Sequence, residues 1–449
     1  MSDVNSTADS AGNGVGSMDK AAVVHARAGV GKNKVNGQGL PEPSSEDRRL
    51  LRRFAERVRE IASLPEQKAK RERWLAHNSL KKGAPIILCV PEGAWRELVP
   101  AHTLVTSDPV LRDWEYRLRQ TAYRHEHIHD DEPIEAFFDI GWVSSFSGWG
   151  LKQEEIRTDQ LGAARWDHPV KELKDIEKLR FPETVIDEER TRALVALADD
   201  IFGDLLEVRI KGMFWWSLGL TDTAMMLRGL ERVMLDVYDN PGWLHEFVAF
   251  LRDGMMHMLE SLEAGGWLTL NNGGNYICSG GVGLTDELPA AGYEPGHVRL
   301  RDMWGFAESQ EFVGVSPRVF KEFAHDYQLP LLGKFGLNGY GCCEPVHHWL
   351  DAILRTPNLR RISVSPWADL KVCSQAFGDR YIFSYKPHPG VLAGEHLNEE
   401  AIRAPLENAM RIARGCRLEI IMKDTHTVRN DPWRIERWTQ IAGEVRDAL

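Results

Sequence analysis

Short apolar runs alternate with longer amphipathic stretches along most of this chain, and that alternation restricts the folds open to it. Runs of four to six residues rich in Ile, Leu and Val suit strands buried on both faces. They are Ile86–Val90, Glu135–Ile140, Leu206–Lys211, Trp267–Asn271, Lys334–Leu337, Arg361–Ser365, Tyr381–Tyr385 and Leu418–Met422. Between them Glu231–Leu262 (broken at Pro241), Pro317–Leu332, Pro345–Arg355 and Glu399–Gly415 read as helices. About eight β-then-α units without an obvious linker predict an α/β fold, one closed parallel (β/α)8 TIM-like barrel. A doubly wound sheet is the alternative, but no Gly-x-Gly-x-x-Gly turn follows the first strand.

Residues 1–45 are rich in Ser, Gly, Asn and Ala, lack hydrophobic periodicity and are expected to form a disordered tail. Within them Gly29-Val30-Gly31-Lys32 resembles a phosphate loop only briefly. The upstream glycine, a following Ser or Thr and a preceding strand are all missing, so it belongs with the tail. Ser45-Glu46-Asp47 can cap a helix carrying Leu50, Leu51, Phe54, Val58 and Ile61, a helical extension that opens a barrel domain at 46–449. No apolar run approaches the roughly 20 residues of a membrane span, and no apolar signal segment opens the chain, so a cytoplasmic, membrane-free protein is expected. A net charge of -11 argues against a nucleic-acid partner, which needs a basic footprint. Six cysteines in 449 residues make no secretory framework; in a reducing compartment they are core residues, metal ligands or catalytic thiols.

In a barrel of this kind the chemistry lies at the C-terminal ends of the strands. Applied here, that rule brings together Glu92, Asp139, Trp215, Asn271, Tyr276, Cys342, Cys343, Glu344, Asp369, Lys386, His388, Lys423, Asp424 and His426. The turn Cys342-Cys343-Glu344-Pro345 is the most informative. Pro345 suits the first position of a helix, whose positive end would favour a thiolate at Cys342 or Cys343 as metal ligand or nucleophile. Glu344 would then reach His347 or His348 at i+3 and i+4. Other metal ligands would come from Asp424, His426 or His388. Lys386 and Lys423 can hold a carboxylate or phosphate, or balance Asp424. Asn271 and Tyr276 can orient a polar substrate, and Trp215 can stack on a flat ligand or fill the core. The stretch His125-Glu126-His127-Ile128-His129-Asp130-Asp131 precedes a strand, which places it at the wrong end of the barrel, as a polar loop.

Four stretches resemble the uroporphyrinogen decarboxylase superfamily, which includes cobalamin-dependent methyltransferases. They are WGFAESQEFVGVSPRVFKEFAHDYQLPLL at 304–332, GYGCCEPVHHWLDAILRTPNLRRISVSPWADL at 339–370, YIFSYKPHPGVLA at 381–393 and LEIIMKDTHTVRNDPWRIERW at 418–438. The resemblance spans roughly residues 80–449 and implies a (β/α)8 barrel. It also implies two chemistries. In the decarboxylases an aspartate holds pyrrole nitrogens, and AFFDIGW at 136–142 puts Asp139 near that position; their arginine-rich signature is replaced by PEGAWREL at 91–98. In the methyltransferases a His-x-Cys pair after strand five and a cysteine after strand eight hold Zn²⁺, which activates a thiol toward a methyl group on a corrinoid. Cys342 or Cys343 matches the first cysteine, Tyr340 or Gly341 stands at the histidine, and Lys423-Asp424 replaces the last cysteine.

The reading that follows is a methyltransferase moving a methyl group between a small methylated substrate (or a thiol) and a corrinoid on a partner protein, with a metal assisting. Glu344, Asp424, Lys423 and Asp139 are its expected catalytic residues. Asn271, Tyr276, Lys386, His388 and Trp215 are its expected substrate contacts, and Cys342, Cys343 and His426 its Zn²⁺ ligands. The alternative is a metal-free decarboxylase or lyase binding a small carboxylate through Asp139, Lys386 and Lys423. A non-enzymatic binding module is a third class.

Overall fold

The structure, a computed structural model, describes residues 39–152, 154–157, 164–212 and 214–448. The expected tail and its Gly29–Lys32 segment lie outside the described residues up to Gly39. The first helix is Ser45–Ala62, and its cap is Ser44, one residue earlier than expected. Asp47 N–H donates to Ser44 Oγ (3.1 Å) and Ser44 N–H donates to Asp47 Oδ2 (3.0 Å), a reciprocal capping box. Leu51, Ala55, Val58 and Ile61 form the helix's buried stripe, in one apolar cluster with Trp114 and Leu118 of the helix Pro109–Tyr123. No helix among the described residues is long and apolar enough to cross a membrane.

Eight strands carry parallel pairings: β1 Ile86–Cys89, β2 Phe137–Gly141, β3 Glu207–Lys211, β4 Trp304–Ala307, β5 Leu337–Tyr340, β6 Leu359–Val364, β7 Ile382–Tyr385 and β8 Arg417–Met422. Six of them make the central sheet, in the order β1-β8-β7-β6-β5-β4, while β2 and β3 form a separate parallel pair. Two expectations are corrected. The run Trp267–Asn271 is not a strand, and the fourth place in the order belongs to Trp304–Ala307. Asn271 shows why the run resembles one. Its side-chain amide donates to Trp304 O (3.0 Å) and accepts from Trp304 N–H (2.9 Å), doing with one side chain what a neighbouring backbone does in a ladder. The fifth strand lies three residues later than Lys334–Leu337, so Tyr340 belongs to the strand rather than to the turn after it.

No ladder joins the β2–β3 pair to the six-stranded sheet among the described residues, so the expected closed eight-strand ladder is not what the backbone bonding shows. At the β1 edge the cause is local. Ile87 N–H donates to Asp131 Oδ2 (2.8 Å) and Cys89 N–H to Asp130 Oδ2 (2.9 Å), so two carboxylates take the donors that an adjacent strand would have used. The His-rich stretch beside them is also not the expected loop. Arg124–Ile128 is a π-helical turn continuing the helix before it.

The six-stranded sheet is nevertheless strongly curved. A small hairpin pairs Tyr276 with Val282 and Ile277 with Gly281. Val282 clusters with Ile86 and Leu88 of β1 and Ile421 of β8, whereas Ile277 clusters with Trp304 of β4 and Leu337 of β5. Strands β1 and β4 are the two edges of the sheet, which lying flat would stand about 24 Å apart at ~4.8 Å per strand. Diagonal neighbours in one hairpin can touch both edges only if the sheet curls around it. The concave face then needs small residues. A side chain at Gly339 would collide with Cys278, and one at Gly281 would stand 2.6 Å from Arg361 Nε. Beneath the hairpin Arg361 Nε lies 2.8 Å and His77 Nε2 3.1 Å from the Glu419 carboxylate. Burial alone would raise that carboxyl, but Arg361 and His77 hold it well below the usual range.

Candidate functional site

The concave face opens at the C-terminal ends of β1, β5 and β8. Glu419, Ile421 and Lys423 alternate toward the interior along β8 and just past it, as a strand's period of two requires. Lys423 Nζ lies 3.6 Å from Asp424 Oδ1, 3.9 Å from Glu92 Oε1 and within 3.5 Å of Ser279 Oγ at the hairpin. Burial disfavours its charge, but Cys342, Asp424 and Glu92 together raise it above an ordinary lysine. The turns carrying Glu92 and Asp424 are stitched together by Val90 N–H to Met422 O (2.7 Å) and Ala94 N–H to Thr425 O (2.9 Å). Both acidic residues have left-handed backbones, Glu92 at φ 44° and Asp424 at φ 56°, a conformation that non-glycine residues adopt at some cost. One ligand atom each from Glu92, Asp424 and His426 comes within 4.8 Å of the others.

Gly341, at φ 91°, turns the chain from β5 into Cys342 and Cys343. Cys342 Sγ stands 3.6 Å from Cys343 Sγ and accepts a hydrogen bond from Ser279 Oγ at 3.4 Å. The hydrogen bond with Cys343 and burial push the Cys342 thiol well above its ordinary range, so it is protonated at neutral pH. Its charge then vanishes, and Asp424 and Glu92 are left as the partners that sustain Lys423. The Cys343 thiol points at Asp424 Oδ2, 4.0 Å away. Glu344 is fully buried and faces backbone. It accepts Cys342 N–H at 2.8 Å and Ser309 N–H at 3.0 Å, and burial raises its pKa against the pull of those donors.

The expected helix at Pro345 is absent. Pro345 precedes a single 3₁₀ turn, Val346–His348, and then a four-residue helix, Leu350–Ile353, too little aligned backbone for a useful dipole at the cysteines. The expected contact of Glu344 with His347 or His348 is also absent. His347 Nδ1 instead accepts Asp369 N–H (3.1 Å), while Asp369 caps the helix Leu370–Phe377 through Lys371 N–H and Val372 N–H.

The structure therefore brings together Cys342, Cys343, Lys423, Asp424 and His426 and adds Glu92 and Ser279. Glu92 was visible in sequence only as part of the turn after the first strand, and Ser279 gave no signal at all. The expected Zn²⁺ set of Cys342, Cys343 and His426 is not one cluster among the described residues; His426 groups with Glu92 and Asp424. Of the remaining expected residues, Lys386 lies next to the cluster and the others are held by their own partners. Asp139 on β2 pairs with Arg209 on β3 at 2.9 Å. Tyr276 donates its hydroxyl to Glu132, and Asn271 is held by Trp304. Trp215 packs edge-on against Phe335, as core packing requires. His388 is exposed, accepts Gly390 N–H at 3.0 Å and meets Trp367 edge-on. Lys386 points into the interior below Lys423 and donates to Ser384 O (3.2 Å); burial lowers its pKa to about 7.

Among solved structures the chain is similar to a methyltransferase from Methanosarcina mazei, with a TM-score of 0.49, 12% identity, and coverage of 84% of this chain and 98% of that one. No family model and no curated protein matches the sequence.

Proposed function

We propose that this chain is a metal-assisted methyltransferase that moves a methyl group between a small substrate and a corrinoid carried by a partner protein. The observation that carries the reading is the rim cluster, in which Glu92, Asp424 and His426 converge with the Cys343 thiol beside Asp424. The donors suit Zn²⁺, which takes carboxylate oxygen, imidazole nitrogen and thiolate sulfur. Ligands about 2.1 Å from a tetrahedral ion stand about 3.4 Å apart, so atoms already within 4.8 Å need only small side-chain rotations. Bound there, the metal would supply Lewis acidity that favours the deprotonated form of a thiol or polarises a methylated heteroatom.

The chain's own residues do the rest. Lys423 offers a permanent positive charge at the floor of the rim, for an anionic part of the substrate and for holding Asp424 in place. Ser279 fixes the Cys342 sulfur. Glu344 positions rather than reacts, because its carboxylate clamps the backbone of the Cys342–Cys343 turn. Hydrophobic walls from Ile421 and Val282 keep water from the floor.

Elemental analysis of the purified full-length protein tests the reading, with about one metal per chain expected. Asp424→Ala and Glu92→Gln should each lower metal content at least tenfold, and methyl transfer from a methylated corrinoid protein to a thiol should fall with it. A metal-free protein with undiminished turnover would overturn the proposal. A metal-free lyase on a small carboxylate is the second reading, and Lys386 favours it. This buried lysine has no carboxylate within 4.0 Å among the described residues and is poised to gain or lose a proton near neutrality. In that case chelators would spare activity and Lys386→Met would abolish it.

A further inference from the structure

The Cys342–Cys343 pair has a separation that suits a use other than a disulfide. Its sulfurs are 3.6 Å apart. A disulfide needs about 2.05 Å, and its Cα atoms usually stand at least about 4.4 Å apart, whereas neighbours across a trans peptide are fixed at about 3.8 Å. Closing the bond would therefore strain the turn that Glu344 holds by Cys342 N–H and Gly341 by its φ of 91°. Two sulfurs bound to one tetrahedral centre at about 2.3 Å, by contrast, stand about 3.8 Å apart. A trivalent arsenic is pyramidal and draws its two sulfurs somewhat closer than a tetrahedral centre does, so the 3.6 Å resting separation stands in the range of a two-sulfur clip and far outside that of a disulfide.

We propose that Cys342 and Cys343 form a dithiol site for a thiophilic metalloid, of which a trivalent organoarsenical is the type. Its chemistry balances without an oxidant. Each thiol displaces one arsenic–oxygen bond, two arsenic–sulfur bonds form, and the two thiol protons leave with the oxygen as one water. Cys343 is the half-buried sulfur and meets the reagent first; Cys342 is buried behind it and closes the ring. Lys423 favours this second step by facing Cys342 as its proton leaves. The remaining cysteines sit on separate elements: Cys89 ends β1, Cys278 lies in the hairpin, Cys373 is in the helix Leu370–Phe377 and Cys416 precedes β8. The clip shares the rim with Asp424 but does not depend on methyl transfer, so a metalloid held there would block the rim whatever reaction it serves.

The test is phenylarsine oxide added to the full-length protein, read by intact-mass spectrometry. One adduct per chain is expected, formed with loss of one water, stable to excess 2-mercaptoethanol and removed by 2,3-dimercaptopropanol. Cys343→Ser and, separately, Cys342→Ala should each cut the monothiol-resistant adduct at least tenfold, and Cys416→Ser should leave it unchanged. Circular dichroism of each variant separates loss of the clip from loss of the fold. No monothiol-resistant adduct on the folded wild type, or one that persists in both folded variants, would overturn the proposal. The assay is run on chelator-treated protein, so that no metal competes for Cys343, and failure of the methyltransferase reading would leave the result intact.

Discussion

Replacing Gly339 with alanine probes the curl of the sheet around its hairpin. The new Cβ would lie 2.9 Å from Cys278 Cβ, inside the contact distance of Cys278 Sγ, and 3.6 Å from Arg361 O. Because β5 is hydrogen-bonded on both sides, the strand cannot retreat, and the hairpin must move instead. Overpacking of this kind costs about 1–3 kcal/mol, and the upper end applies where backbone stands on both sides. Cys278 has a φ of 54°, so Cys278→Gly removes both clashing atoms and relieves a left-handed backbone worth about 1 kcal/mol, offsetting most of the small burial it loses. Gly339→Ala alone should thus destabilise by about 3 kcal/mol and Cys278→Gly alone by less than about 1 kcal/mol. The double variant should recover about 2 kcal/mol through coupling. Urea unfolding of the four proteins, followed by tryptophan fluorescence and far-UV circular dichroism, closes the cycle. A coupling energy near zero would refute the packing of the hairpin against β5, and with it the argument for curvature.

Two further outcomes follow from buried charges. Lys386 has a folded pKa of about 7, lowered from 10.5 by burial, so between those values the unfolded chain binds more protons and stability rises with pH. Wild type should gain stability relative to Lys386→Met from pH 7 to about pH 10, with a constant difference below pH 7; equal slopes in urea titrations across that range would contradict the assignment. Asp130 accepts Cys89 N–H and pairs with the buried Arg124 guanidinium at 2.6 Å, while Glu132 pairs with the same guanidinium at 2.9 Å, so Asp130→Ala should cost about 1–3 kcal/mol by leaving Cys89 N–H without its acceptor and Arg124 with one carboxylate, and Asp130→Asn should recover part of it; thermal melts of the pair check this.

The α/β class and six of the eight parallel strands are legible in the sequence because strands buried on both faces leave short apolar runs, and the fifth is found only by its first residue, Leu337. The fourth strand is not. The more strand-like run Trp267–Asn271 precedes Trp304–Ala307 and takes its place in the pattern, because that run is satisfied by side chains instead of a ladder. The rim residues Cys342, Cys343, Lys423, Asp424 and His426 follow from one rule, that strand ends gather chemistry, and the rule needs only the strands' order. Their partners do not follow from it. Glu92 joins them because two backbone hydrogen bonds stitch the turn after β1 to the turn after β8, which lie more than three hundred residues apart in sequence.

By itself the sequence determined where the chain alternates between strand and helix and which reactive side chains stand at strand ends, because those depend on local periodicity. Tertiary structure alone decided which way those side chains face. It turned Glu344 onto the backbone of its own turn, spent Asn271 and Tyr276 inside the fold, and set the two cysteine sulfurs 3.6 Å apart. The reason is physical: a buried polar group takes whichever partner the packed chain brings within hydrogen-bonding distance, and that partner comes from elsewhere in the sequence.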